Sequence, residues 1–276
     1  MMYTLDTIVV PILSERLQNI AKALGDKFDA IGIISGLLPG TELALRNVIE
    51  AKKSSNQLVI VLETSGGVAE IVERMVRVIR HFYSEVCFVI PSHAMSAGTI
   101  FSMSGDKIYM DYYSCLGPID PQVIKDGKPL PVAGYLRQFE DIKQKSLQGQ
   151  VSPVEYALIN KLDLGELESY IDAEKLTGDL LVSWLSNYKF KDWDVPTDQK
   201  KSRAKEIAKE LGNNRRWHSH GRMIGISELR GMKLKIEDLA DTLDLHKAVK
   251  EYHTLAIDCM RRFEMVRLVQ MKDMFI

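Results

Sequence analysis

The chain is poor in cysteine. Cys87, Cys115 and Cys259 are the only three in 276 residues. An odd set with no metal-ligand spacing argues against a disulfide framework, and reduced thiols of a cytoplasmic protein are the plain expectation. An excess of charge is also missing. Lys and Arg number 36 against 37 Asp and Glu, a net charge of -1, so nothing points to nucleic acid or an anionic membrane as a partner. No apolar run reaches the roughly eighteen residues that a transmembrane helix needs, so no such segment is expected. Met1 to Leu13 is apolar but has neither a basic start nor a small-residue cleavage site, which argues against a signal peptide. Gly36 to Gly40 lacks the Lys-Ser/Thr of a phosphate-binding loop, and no glycine-rich dinucleotide fingerprint is present. No cofactor is therefore expected. His218 and His220 share one loop without a third ligand, so no metal is expected either. Neither a repeat period nor a low-complexity tract is visible.

What is present is an alternation of strand and helix patterns. Residues 4 to 24 have amphipathic helical spacing, with Gly25 as a stop. Ala30 to Ser35 reads as a strand. A helix to Ala51 follows, with Thr41 as its N-cap. Leu58 to Leu62 and Val86 to Ile90 are continuous apolar runs, as strands covered on both faces should be. A helix over 68–83 lies between them. After a fourth helix begins near Ser96, Lys107 to Met110 is a short strand. This order predicts right-handed crossovers and a mostly parallel α/β sheet. Asp126-Gly127 marks a turn between two extended pieces, and Val132 to Leu147 is helical. Ser152-Pro153-Val154-Glu155 is a capping signature before one long or two medium helices to residue 187. Gln199 to Leu211 reads as a charged helix with a solvated face. Asn213 to Arg216 reads as a loop, Ile226 to Met232 as a short helix and Leu234-Lys235-Ile236 as a strand. Asp241 to Phe275 reads as a terminal helical region that docks on a neighbour or on the same domain.

Two strand-to-helix turns carry the chemistry. One places Ser96 among small residues, Ala94-Met95-Ser96-Ala97-Gly98-Thr99. The other is Glu63-Thr64-Ser65-Gly66-Gly67. A hydroxyl at one turn and main-chain donors at the other suit acyl transfer. The plainer alternative is a pair of tight turns that merely need small residues. His93, just before the serine turn, is expected at a strand end facing solvent or a neighbour.

These two segments, together with Ser114-Cys115-Leu116-Gly117-Pro118-Ile119-Asp120-Pro121-Gln122, resemble the serine dehydrogenase proteinase family. That family is a branch of the superfamily of Clp protease, signal-peptide peptidase and crotonase. The likeness is dense over residues 55 to 125 and weaker at Trp217 to Ile236. It implies an α/β fold, a Clp/crotonase-like spiral of β-β-α units with a mostly parallel sheet, plus a helical insertion and C-terminal helices. On this basis residues 1–240 form the peptidase-like domain, with the insertion at about 132–212, and 241–276 a helical extension. The implied activity is that of a soluble serine endopeptidase-like hydrolase acting on a peptide or protein substrate and assembled as a homo-oligomer. Ser96 would be the nucleophile. Gly66, Gly67 and the Ala97 amide would form the oxyanion hole, with an extended peptide added alongside the backbone after Gly67.

The general base stays open. Clp proteases carry a histidine just beyond the loop that resembles Ser114 to Pro121, and here the nearest polar residue is Asp120. A rearranged acid and base, Asp120 and His220, is one solution. A lysine, as in signal-peptide peptidases, is another, with Lys128, Lys143 or Lys145 in the right region; burial would have to lower its pKa. The third possibility is no competent base at all, which would make the chain an inactive oligomeric scaffold or peptide-binding module. A crotonase-type acyl-CoA enzyme would use the same oxyanion architecture without the serine.

Overall fold

The computed structural model describes residues 8–25, 27–125 and 127–276. Its strands are β1 (Phe28–Ser35), β2 (Gln57–Glu63), β3 (Glu85–Ile90), β4 (His93–Ala94), β5 (Lys107–Met110), β6 (Cys115–Leu116), β7 (Gln122–Lys125), β8 (Lys128–Pro131), β9 (Glu237–Asp238), β10 (Arg267–Met271) and β11 (Met274–Phe275). The helices are α1 (Val10–Ala23), α2 (Thr41–Lys52), α3 (Ala69–Phe82), α4 (Ala97–Ser102), α5 (Val132–Leu147), α6 (Pro153–Ile159), α7 (Leu164–Trp184), α8 (Thr197–Leu211), α9 (Asn214–Trp217), α10 (Ile226–Gly231) and α11 (Leu243–Arg262).

The main sheet runs β11-β10-β1-β2-β3-β5-β9. From β1 to β9 neighbouring strands are parallel. The α/β class with a mostly parallel sheet is as the sequence led one to expect. Because the chain steps in one direction from β1 to β5, right-handed crossovers put α2, α3 and α4 on one face of the sheet. The strands are apolar on both sides for that reason. Leu58, Ile60 and Leu62 of β2 face α2 and α3, while Val59 and Val61 face α1 and α11. The period of two makes Glu63 the next residue on the α11 face.

Several sequence expectations need correction. The region from Asp241 to Phe275 is not wholly helical. After α11, Glu264 takes a positive φ of 53° and the chain returns as β10, antiparallel to β1. Leu268 and Val269 are buried on opposite faces of the sheet, and the edge of β1 supplies the ladder that no local pattern reveals. The N-cap of α2 is Gly40, with φ 95°, and not Thr41; the Thr41 hydroxyl instead bonds to the Gly36 carbonyl at 3.2 Å. Asn214 to Trp217 is a helical turn capped by the Asn213 side chain. The strand expected at Leu234 to Ile236 lies at Glu237–Asp238, because Leu234 and Ile236 are taken up as core side chains. Residues 4 to 7 of the first helix, and Asp126 of the turn between β7 and β8, lie outside the described residues.

Other local readings stand. The Ser152–Glu155 capping box forms in both directions. Helix α8 buries Ala204, Ile207 and Leu211 and leaves its charged face in solvent. Among the described residues no helix is long and apolar enough to cross a membrane.

Candidate active site

Beyond β3 the chain passes Pro91, pairs briefly as β4 with β6, and reaches Ser96 at the start of α4. Ser96 has φ 52° and ψ -115°. That region costs a non-glycine residue about 1–3 kcal/mol and persists only where neighbours over-determine it. Here they do. The amides of Thr99 and Ile100 donate to the Ser96 carbonyl at 2.9 and 3.2 Å, and Gly98 N–H donates to Met95 O at 2.8 Å. The fully buried Thr99 hydroxyl lies 2.9 Å from Ala94 O and 2.8 Å from Gly117 O and accepts Gly117 N–H. Thr99 thus joins the serine turn to the loop beyond β6.

The glycine turn lies directly against it. A Cβ on Gly66 would sit 2.9 Å from Met95 O and 3.0 Å from Ser96 Cβ, and Gly66 has φ 105°. A Cβ on Gly67 would collide with Leu37 O at 2.2 Å. Glycine is needed at both for close backbone approach. Leu37 takes one edge of this segment, donating to Gly66 O at 2.8 Å and accepting Val68 N–H at 2.9 Å. The Gly66 amide is taken by Thr64 Oγ1 at 3.1 Å. Among the described residues, the amides of Gly67 and Ala97 have no backbone acceptor.

The histidine and the aspartate come together. Leu116 and Ile224 exchange two backbone bonds of 3.0 and 2.9 Å in an antiparallel bridge. Four residues outward on each strand, His220 Nδ1 lies 2.9 Å from Asp120 Oδ1. Asp120 is 2% exposed and also accepts from Gln122 Nε2 at 2.8 Å and Asn214 Nδ2 at 3.3 Å. A carboxylate only accepts, so Nδ1 carries the proton, and in the neutral imidazole that leaves the lone pair on Nε2. Nothing in the sequence marks the Gln122 and Asn214 amides as partners of Asp120; an amide beside a buried aspartate is visible only in space. None of the side-chain hydrogen bonds among the described residues involves the Ser96 hydroxyl.

The candidate lysines lie elsewhere. Lys143 pairs with Glu140 at 3.2 Å on the exposed face of α5. Lys145 pairs with Glu155 at 2.5 Å, and that hydrogen bond raises its pKa, the wrong direction for a base. Lys128 is exposed on the β7–β8 hairpin. Lys189, unremarked in the sequence, is pushed down to about 8 by burial. It lies near Cys87 and Asp106, at the end of the sheet away from Ser96. His93 is half-buried with Nδ1 3.0 Å from Ser92 Oγ. His253 Nε2 lies 2.5 Å from Glu63 Oε2 and His246 Nε2 3.4 Å from Asp111 Oδ2, partners that sequence distance concealed. Among the described residues no group of three ligands could hold a metal ion.

The serine and glycine turns thus meet, with the Gly67 and Ala97 amides lacking a backbone acceptor among the described residues, and the Asp120–His220 pair forms on the loop that Thr99 ties to the serine turn. Residues 39–154 match the family model of the ClpP-like SDH-type serine proteinases. The resemblance carried by the sequence motifs is borne out over that stretch. Two uncharacterised proteins of Methanocaldococcus jannaschii are similar, one 27% identical over 88 residues, the other 31% over 75. These cover 32% and 27% of this chain, which spans 30% and 26% of theirs. The chain therefore spans less than a third of the length of the curated relatives it matches. Among solved structures, a serine-to-alanine mutant of the 1510-N membrane-bound stomatin-specific protease aligns over 79% of this chain and 81% of its own, with 13% identity and a TM-score of 0.45. ClpP1 from Listeria monocytogenes aligns over 80% and 94%, with 11% identity and a TM-score of 0.43.

Proposed function

We propose that the protein is a serine endopeptidase-like hydrolase with Ser96 as nucleophile, His220 as general base and Asp120 as the acid that orients it. The observation that carries this is the buried Asp120 holding His220 by Nδ1 at 2.9 Å. That bond leaves Nε2 as the nitrogen to receive a proton. Nε2 takes the Ser96 proton as Oγ attacks the substrate carbonyl carbon. The oxyanion is held by the amides of Gly67 and Ala97. The imidazolium, stabilised by Asp120, returns its proton to the leaving amine, and water then hydrolyses the acyl-enzyme. An extended peptide lies along Gly67 on the edge opposite Leu37, and assembly into a homo-oligomer restricts access to it.

The test is labelling by a fluorophosphonate probe between about pH 6 and 9. Wild type is expected to label at Ser96, and Ser96→Ala and His220→Ala to lose labelling. A folded, assembled wild type that never labels would overturn the proposal. One observation favours a second reading, a non-catalytic peptide-binding scaffold: the Ser96 hydroxyl has no hydrogen-bonded base among the described residues. On that reading an extended peptide binds equally well to wild type and to Ser96→Ala, with no cleavage by either.

A further inference from the structure

Behind the two turns, on the α11 face of the sheet, lies a second group of ionisable side chains. Glu63, the last residue of β2, meets His253 of α11 at 2.5 Å. One strand over, Ser92 and His93 are bonded to each other at 3.0 Å. Seven residues before His253 on the same helix, His246 meets Asp111 at 3.4 Å. Asp111 in turn holds the amides of Tyr113 and Ser114 at 2.8 and 2.9 Å, just ahead of β6. Glu63, Ser92, Asp111, His246 and His253 border a cavity of about 390 Å³ that Lys250 also lines. Arg16 of α1 flanks His253 on its other side.

The position of this group matters more than its contents. Thr64 follows Glu63 and exchanges backbone bonds with the other turn, donating to His93 O at 3.0 Å and accepting Met95 N–H at 3.0 Å. Within three residues of Glu63 the chain reaches Gly66, and within three of His93 it reaches Ser96. One helix face therefore holds the root of the glycine turn and of the loop that leads to Asp120, and the Thr64 backbone bonds carry that hold to the serine turn.

We infer that His253 and Glu63 are positioning residues for the site, holding the glycine turn and the serine turn in register from behind. The inference rests on the proposed role of Ser96, yet its structural half can be read without any activity. Reactive geometry tolerates little error, since a displacement of about 1 Å can cost about 10²-fold in rate. Glu63 and His253 bond to each other and to none of Ser96, Asp120 and His220, so the effect travels through the backbone bonds of Thr64 to the serine turn.

The experiment compares wild type with His253→Leu, His253→Gln and Glu63→Gln. Labelling by the fluorophosphonate probe is measured over a range of probe concentrations. His253→Leu is expected to lower the maximal labelling rate about tenfold with little change in half-saturation. His253→Gln, which keeps a donor near the place of Nε2, is expected to recover most of it. Backbone hydrogen exchange is measured in parallel. His253→Leu should speed exchange at residues 64–67 and 94–97 as well as in α11. Should the variants melt at lower temperature but label at the wild-type rate per folded molecule, the inference is overturned. Faster exchange confined to α11 would overturn it equally. If wild type fails to label but exchange responds at both turns, the role of Ser96 fails while the brace survives as a structural coupling.

Discussion

Two acid–imidazole pairs flank the same strand ends, and they differ in which ring nitrogen is bound. Asp120 holds His220 by Nδ1 at 2.9 Å; Glu63 holds His253 by Nε2 at 2.5 Å. The first arrangement turns Nε2 outward with its lone pair, as a general base needs. The second commits Nε2 to the fastening itself. The carboxylates differ as well. Asp120 is also bonded to two side-chain amides. Glu63 is pushed up by burial, but the hydrogen bond and charge of His253, with His93 and Ser92, outweigh that and hold it below the usual carboxylate range. Equal composition thus yields one pair suited to proton transfer and one suited to holding a strand. The lesson is that a carboxylate–histidine contact is not by itself a catalytic sign; the free nitrogen and what lies beyond it are.

The comparison breaks most severely at His220. His220→Ala should lower the Ser96 labelling rate by about 10⁴-fold or more, while leaving the melting temperature within a few degrees. Equal losses from His220→Ala and His253→Ala would erase the distinction between the pairs. Asp120→Asn comes next, with an expected fall of about 10²–10⁴, because the amide can present the wrong hydrogen-bond polarity to Nδ1. A rate within threefold of wild type would remove Asp120 from the mechanism.

Gly66→Ala probes the contact between the two turns. Its new Cβ would press on Met95 O and Ser96 Cβ in a backbone conformation that costs alanine about 1–3 kcal/mol. Labelling should fall about 10-fold to 10²-fold in the folded fraction, read by labelling and calorimetry on the same sample; an unchanged rate would mean that the turns move independently.

Glu63→Gln sharpens the other side. The folded-state pKa of Glu63 is lowered, so the unfolded chain binds the proton more readily. Its stabilisation is therefore present above the unfolded value of about 4.3 and is lost as pH falls through the folded value. The variant should show a smaller drop in melting temperature than wild type between about pH 5 and 3. Parallel pH curves for the two proteins would contradict the pairing. The smallest effect is expected at Lys143, whose Glu140 contact is exposed. Lys143→Ala should leave labelling unchanged, and a large loss would restore a lysine base.

Much of the local structure was legible. The continuous apolar runs at Leu58 to Leu62 and Val86 to Ile90 could only be strands buried on both faces, and they are. The Ser-Pro-Val-Glu cap forms as its spacing requires. Strand β10 was not legible, because five residues after a long helix carry too little pattern to declare a strand without the partner that pairs with them. Of the candidate site, Ser96, Gly66 and Gly67 stood out because small residues and turns interrupt apolar runs there, while Asp120 entered only through the resemblance to Clp proteases. His220 could be named as a candidate, but its bond to Asp120 spans 100 positions. The His253–Glu63 contact spans 190, and no local pattern announced it.

Sequence by itself determined the alternation of strands and helices and the two small-residue turns, because side-chain period, glycine and proline act over a few neighbouring positions. Tertiary structure alone decided which nitrogen of each histidine is held, which amides stay free, and that β10 closes beside the first strand. Those outcomes depend on distances between segments far apart in the chain, and such distances are set only when the whole sheet is packed.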